Sequence, residues 1–299
     1  MSTFRKHGLA AWALGGVATL GAVGIGALTL GLGGSGAEHP GTAAVGNAGA
    51  MPGDLEVARP VATLPPNAAP STLQEMTTPY DGRYQFVRIR YEPRGRGGFG
   101  GFGRGGREPM WAHDYPRADR NFLKIVEETT HIRTRPDGMS VLTADDPRLF
   151  LHPVAYIVEV GAWDPSDEEA EAMGAYLSKG GFIIVDDFRG RFALENLAYQ
   201  IDRMLPGSRL MPLPPDHGIF DSFFRIIPDQ VIPPYGNEPP VWLAVYEDND
   251  PGRRIQMVVN YNNDIGDYWE YSDYGYYPID LSNEAYKLGV NYVVYAYTN

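Results

Sequence analysis

From residue 154 to 205 the chain alternates between apolar runs and stretches whose apolar residues recur at helical spacing. Val154 to Val160 is one run and Phe182-Ile-Ile-Val185 is the next. Between them, Ser166 and Glu169 have the spacing of a capping box, and Ala170, Met173 and Leu177 form the inward stripe of a helix. That helix stops at the pair Gly180-Gly181, and a second amphipathic segment follows Gly190. A short apolar run between helices marks a strand buried on both faces. The order strand, helix, strand, helix with short connections predicts right-handed crossovers and a parallel sheet. Ligands of such sheets bind beyond the carboxyl ends of the strands, and Asp186 and Asp187 stand where the second run ends.

Other patterns extend the picture in both directions. Val87, Ile89 and Tyr91 alternate along Tyr84 to Tyr91, which predicts a first strand with one apolar side. Phe122, Ile125, Val126 and Thr129 share a helical face, and Asp145-Asp146-Pro147 reads as a turn and helix start. Val241 to Tyr246 and Ile255 to Tyr261, joined by Asp248-Asn-Asp-Pro-Gly252, predict a hairpin at the sheet edge. Ala285, Leu288, Gly289, Tyr292, Val293 and Ala296 predict a C-terminal helix packed on the sheet. No internal repeat is visible.

Composition narrows the possibilities. The region 80–299 holds 22 basic and 33 acidic residues, a net charge of −11, which repels nucleic-acid backbones and anionic membrane surfaces alike. The chain has no cysteine, so thiol catalysis, Cys-ligated zinc and disulfides are excluded. Arg5 and Lys6 precede an uncharged stretch from Gly8 to Gly36, the order of a signal peptide or an N-terminal membrane anchor over 1–36. A Pro-, Ala- and Gly-rich linker over 37–79 would tether the folded domain, 80–299, on the periplasmic or extracytoplasmic side. The Gly/Arg loop at 93–107 resembles the RGG segments of RNA-binding proteins; in an acidic, exported domain it reads as a soluble surface loop.

The candidate chemistry lies in four places. Asp186 and Asp187 are neighbours in a strand, so their side chains point to opposite faces. Asp187 is then the better site residue, with Arg189 just beyond it, while Asp186 caps the following helix or binds backbone amides. Trp111, His113 and Asp114 either form the lip of a binding loop or staple a helix entry to the core. Asp216 and His217 either share the sheet edge of Asp187 or make a structural turn. His131 and His152 read as surface or capping residues. No HExxH, His-x-His or DxDxDG spacing points to a metal, and no cofactor is expected. From Asp264 to Asp280, five tyrosines and Trp269 among acidic residues could stack on sugars, but cover for the sheet and helix is the preferred reading.

Gly180-Gly-Phe-Ile-Ile-Val-Asp-Asp187, Asp216-His-Gly-Ile-Phe220 and the closing Gly289-Val-Asn-Tyr-Val-Val-Tyr-Ala-Tyr-Thr298 together resemble the bacterial domain-of-unknown-function family 4159. The region of Tyr91, Trp111 and Tyr115-Pro116 is similar to its N-terminal part, so the resemblance covers about 80–299. It implies a fold like that of class I glutamine amidotransferases and ThuA-like domains: a flavodoxin-like three-layer α/β/α sandwich, mostly parallel, with an added C-terminal hairpin and helix. It also implies that Gly181 to Gly190 is the equivalent of the nucleophile elbow. Asp187 or Phe188 stands there instead of Cys, so glutaminase chemistry is excluded.

Two functions remain to be weighed. The first is a non-catalytic module that binds a small ligand or a protein partner in a membrane-associated assembly. The alternative is a carboxylate- and histidine-based hydrolase, with or without a metal, acting on carbohydrate-like substrates.

Overall fold

The computed structural model describes residues 77–93 and 109–299; the leader, nearly all of the linker and the Gly/Arg loop lie outside the described residues. Among the described residues no helix is long and apolar enough to cross a membrane. The described residues begin slightly before Tyr80, and there the Thr77 and Thr78 hydroxyls donate to the Val141 and Asp137 carbonyls.

The described residues form one seven-stranded sheet and five α-helices. In chain order the elements are β1 (Tyr84–Ile89), α1 (Arg117–Thr129), β2 (Thr134–Leu142), β3 (Val154–Val158), α2 (Asp167–Ser178), β4 (Phe182–Phe188), α3 (Arg191–Met204), β5 (Met211–Pro212), β6 (Val241–Tyr246), β7 (Ile255–Tyr261), α4 (Ile265–Glu270) and α5 (Ile279–Thr298). The strands lie in the order β2-β1-β3-β4-β7-β6-β5. From β2 to β7 every pairing is parallel, and β6 and β5 are antiparallel additions. Helices α1, α4 and α5 pack together, and α2 pairs with α3, which fits a three-layer α/β arrangement.

Local chemistry explains most element boundaries. Ser166 and Glu169 make the expected capping box at the start of α2. Asp146 caps the short turn at Pro147–Leu151. β3 and β4 are buried along their whole length, as strands inside a parallel sheet covered on both faces require. On the α1/α4/α5 side, Phe122 and Trp269 stack with ring centroids 4.3 Å apart. Gly289 of α5 lets the helix settle on them, because a β-carbon there would stand 2.5 Å from both rings.

Three expectations change. β1 is not one-sided: it lies between β2 and β3 with both faces buried, and its polar Gln85 and Arg88 are paired inside. The hairpin does not end the sheet, because β7 sits beside β4 and the two-residue β5 forms the margin beyond β6. β2 was not anticipated at all; its Pro136 and Gly138 break the apolar pattern, which an edge strand tolerates.

Candidate functional site

Because β1, β3, β4 and β7 run parallel, their C-terminal ends share one edge of the sheet, and polar residues leave each of them there. The chain moves from β1 outward to β2 but continues inward through β3, so the strand order reverses between β1 and β3. Such a reversal opens a crevice beyond the strand ends. His113 and Asp114 come from the segment after β1, Glu159 from the end of β3, Asp187 from β4, and Asp264 from the turn after β7.

The backbone is strained at this edge. Six non-glycine residues among those described have positive φ, and four of them are Asp114 (62°), Glu159 (53°), Asp187 (46°) and Asn262 (60°). A left-handed conformation costs a residue with a β-carbon about 1 kcal/mol or more, and such residues cluster where side chains must be aimed. Asp187 thus leaves the alternation of β4. Asp186 keeps it, so the two carboxylates separate.

Asp186 is structural. Tyr156 Oη donates to its Oδ2 at 2.7 Å and Asn260 Nδ2 to its Oδ1 at 3.0 Å. The backbone N–H groups of Ile265 and Gly266 donate to Oδ2 at 2.9 and 3.1 Å. It therefore holds the first turn of α4, not of α3, the helix that follows it in sequence. Burial pushes its carboxyl up to about 6 against these four donors.

Asp187 is the centre of the site. Its Oδ2 lies 2.5 Å from His113 Nδ1, and the Tyr235 hydroxyl donates to its Oδ1 at 2.6 Å. The same hydroxyl lies 2.8 Å from Asp264 Oδ2. One phenolic proton cannot serve two carboxylates, so the bridge is best satisfied with Asp264 protonated. Burial and the nearby charge of Asp187 both push Asp264 that way. Burial alone would raise Asp187 too, but the His113 contact outweighs it and holds the carboxyl below its ordinary value. His113 rises correspondingly to about 10, chiefly through that hydrogen bond. The pair is an imidazolium–carboxylate, with the histidine side chain 29% exposed and Asp187 at 2%.

Further groups complete the edge. Burial and the charge of Asp187 push Glu159 up to about 7. Asp114 is buried, and burial lifts its carboxyl well above the usual range. Arg189 lies 3.8 Å over the Tyr235 ring and donates to the Tyr235 carbonyl at 3.3 Å, which fixes the loop that brings the phenol in. Arg88 does the same for His113: its guanidinium donates to the His113 carbonyl at 2.7 Å and to the Trp111 carbonyl at 3.3 Å, while Asp119 holds it from the other side.

The residues singled out in sequence thus divide. Asp187, His113, Asp114 and Arg189 come together. Trp111 is buried against Tyr115 and staples the segment, so its side chain is core. His217 does not share the edge of Asp187. Its ring packs on Tyr246 and Tyr295, and Tyr246 pairs with Ile255, at the opposite end of β7 from Asp264. Its Nδ1 accepts from the Ile219 N–H, and Asp216 is exposed, so the two form a structural turn. The tyrosines in and after α4 pack on one another, with Tyr268 against Tyr277 and Tyr276 against both Tyr271 and Tyr277. They cover the core rather than spread a platform.

Glu159, Tyr235 and Asp264 were missed. Glu159 carried a usable signal, since it directly follows a buried run just as Asp186 and Asp187 interrupt the next one. Asp264 was visible only as part of an acidic stretch. Tyr235 sits in a Pro-rich connection whose path only the fold reveals.

The family described as Domain of unknown function (DUF4159) matches residues 85–297. The chain belongs to that family. The match spans every strand from β2 to β7 and every residue of the site, so the site is part of the DUF4159 domain and not of an addition to it. No curated protein matches the chain.

Proposed function

We propose that this DUF4159 domain is a carboxylate- and histidine-based hydrolase whose reacting groups are Glu159 and the His113–Asp187 pair. The observation that supports this reading is the convergence of these three titratable side chains from the ends of β1, β3 and β4, two of them, Glu159 and Asp187, on strained backbone. A scaffold has no need of buried like charges that destabilise it, whereas acid–base chemistry at neutral pH does. Glu159, raised towards 7, would take a proton from an attacking water, and His113, held charged by Asp187, would steady the developing negative charge or protonate a leaving group.

The strand order β2-β1-β3-β4-β7 is consistent with a flavodoxin-like, amidotransferase-like sandwich. In that frame Asp187 would stand at the elbow position in place of a nucleophilic cysteine. The acidic domain argues against nucleic acid as a partner, and the basic and apolar leader argues for export or membrane attachment. A reporter active only outside the cytoplasm, fused after residue 79, tests the last point.

For the reaction, the full chain is assayed against panels of glycosides, carboxylic esters and phosphoesters, carbohydrate-like substrates first. Glu159→Gln and Asp187→Asn should each lower turnover by about 100-fold or more with little loss of stability. If no panel member turns over while a ligand still binds in an Asp187-dependent way, the second reading takes its place: a non-catalytic binding module at the same edge.

A further inference from the structure

The acid–base reading leaves one group at the edge unused. Asp114 is 7% exposed, its Oδ2 is buried, and that oxygen has no hydrogen-bond partner among the described residues. A buried carboxyl oxygen without a donor costs about 1–3 kcal/mol and calls for an explanation. It is turned towards the other acids: a β-carbon built on Gly266 would lie 2.7 Å from Asp114 Oδ2 and 3.5 Å from Asp264 Oδ1. Next to Asp264, Asn263 is fully buried and neither atom of its amide has a partner among the described residues.

One donor atom from each of His113, Asp114, Asp187 and Asp264 lies within 4.8 Å of the other three. That spread matches the coordination sphere of a small divalent ion, in which opposite ligands stand about 4.0–4.8 Å apart at bond lengths of about 2.0–2.4 Å. The donors come from three separate strand ends and three of the four are buried, so the fold itself brings them together. We propose that His113, Asp114, Asp187 and Asp264 form a divalent-cation site. Once the ion displaces the protons that His113 and Asp264 carry in its absence, three carboxylate oxygens and one neutral imidazole nitrogen suit a hard to borderline first-row ion, with Mn²⁺ and Zn²⁺ the natural probes. A cation gives Asp114 Oδ2 the partner it lacks and offsets the cost of ionising the buried acids together. The second acidic group, Asp114 with Asp267 and Glu270, is less suited, because it offers only three donors and no imidazole.

The inference rests on the site assigned above but not on hydrolysis. The test uses the full chain, stripped with chelator, dialysed and titrated with Mn²⁺ alone and then with Zn²⁺ alone, followed by calorimetry and by thermal unfolding. One equivalent should bind and raise the Tm. Asp114→Asn and His113→Gln should each weaken binding at least about tenfold, whereas Glu195→Gln, on the exposed face of α3, should leave it unchanged. Because Asp114→Asn removes a buried carboxyl without a partner, the variant should fold at least as stably as the metal-free wild type. A loss of binding then reports on the ligand set. Absence of a stoichiometric ion with both probes, or equal binding by the Asp114→Asn protein, overturns the site. Turnover by a protein that binds no equivalent of either ion overturns the site while leaving the hydrolase intact; a bound equivalent with no turnover on any panel does the reverse.

Discussion

The Arg88–Asp119 pair offers the sharpest test of how the fold supports the site. Both side chains are essentially inaccessible, at 0% and 1%. Asp119 accepts from Nε at 3.2 Å and from Nη2 at 2.5 Å. Burial alone would lower the pKa of the Arg88 guanidinium, but Asp119 outweighs that penalty and keeps it charged. The substitution Asp119→Asn keeps the volume, opens no cavity, and leaves a cation among the rings of Phe86, Tyr115 and Tyr156. Breaking one partner of such a pair costs about 3–5 kcal/mol. For a domain of this size each kcal/mol moves the Tm by about 2–4 °C, so a fall of roughly 6–20 °C is expected. Thermal unfolding followed by near-ultraviolet circular dichroism measures the fall in Tm, and urea unfolding the free energy. The double change Arg88→Met with Asp119→Leu removes both charges and should recover most of the loss. It cannot restore the bonds to the Trp111 and His113 carbonyls, so function at His113 should stay impaired in the stable double variant. A loss below about 1 kcal/mol for Asp119→Asn, or a double variant as unstable as the single, would refute the reasoning.

Three further outcomes follow from the packing and the buried polar groups. Asp186→Ala strands the four donors that converge on that carboxylate and should cost about 3 kcal/mol or more, read by urea unfolding; a loss near zero would mean α4 does not depend on it. Gly289→Ala drives a methyl group into the Phe122 and Trp269 rings and should cost about 1–3 kcal/mol, with a changed tryptophan emission as a second readout. Burial lowers His152, whose ring meets Tyr80 edge-on, to about 4 from 6.5. The unfolded chain then takes up that proton before the folded one does. Stability supplied by neutral His152 is therefore complete above about pH 6.5 and is lost as pH falls towards 4, by about 3 kcal/mol in all. The difference in Tm between wild type and His152→Phe should shrink over that window, and a constant difference would refute the assignment.

What was legible in sequence is what local patterns control. The capping box at Ser166, the buried runs of β3 and β4, the face of α1 and the long C-terminal helix each declare themselves within a dozen residues. β2 did not, because an edge strand may carry proline and glycine and so loses its pattern. β1 misled for the opposite reason. Arg88 looks like the solvent side of an alternating strand, and only Asp119, thirty-one positions on, makes its burial possible. The site shows the same division. Asp187 follows from the rule that ligands sit at strand ends, and His113 and Asp114 from their position before a helix. That these three meet Asp264 and Tyr235 depends on β7 lying beside β4, a non-local pairing that the hairpin reading had put at the margin. His217 takes the second of its two readings, the structural turn, and packs against the start of β7 rather than its end.

The neighbouring aspartates at 186 and 187 show how the edge divides stability from function. Asp186 receives four donors, keeps strand geometry and ties α4 to the sheet. One residue later the backbone turns left-handed and Asp187 meets a histidine, a tyrosine and a second carboxyl. Three further residues at this edge are left-handed as well, and at about 1–3 kcal/mol each the four together approach the whole net stability of a typical domain, about 5–15 kcal/mol. Asp114 and Asp264 add the cost of burying acidic groups, which burial pushes towards their protonated forms. The rest of the domain must therefore be well enough packed to carry this strain, which the full burial of β3 and β4 and the stacked rings under α5 supply. It follows that whatever relieves the edge stabilises the whole. A ligand that binds only the folded state at a hundred times its Kd adds about 2.7 kcal/mol, or roughly 5–11 °C in Tm for a domain of this size. Thermal shift is thus a direct search for the natural ligand, and a hit that persists in Asp187→Asn lies somewhere other than this edge.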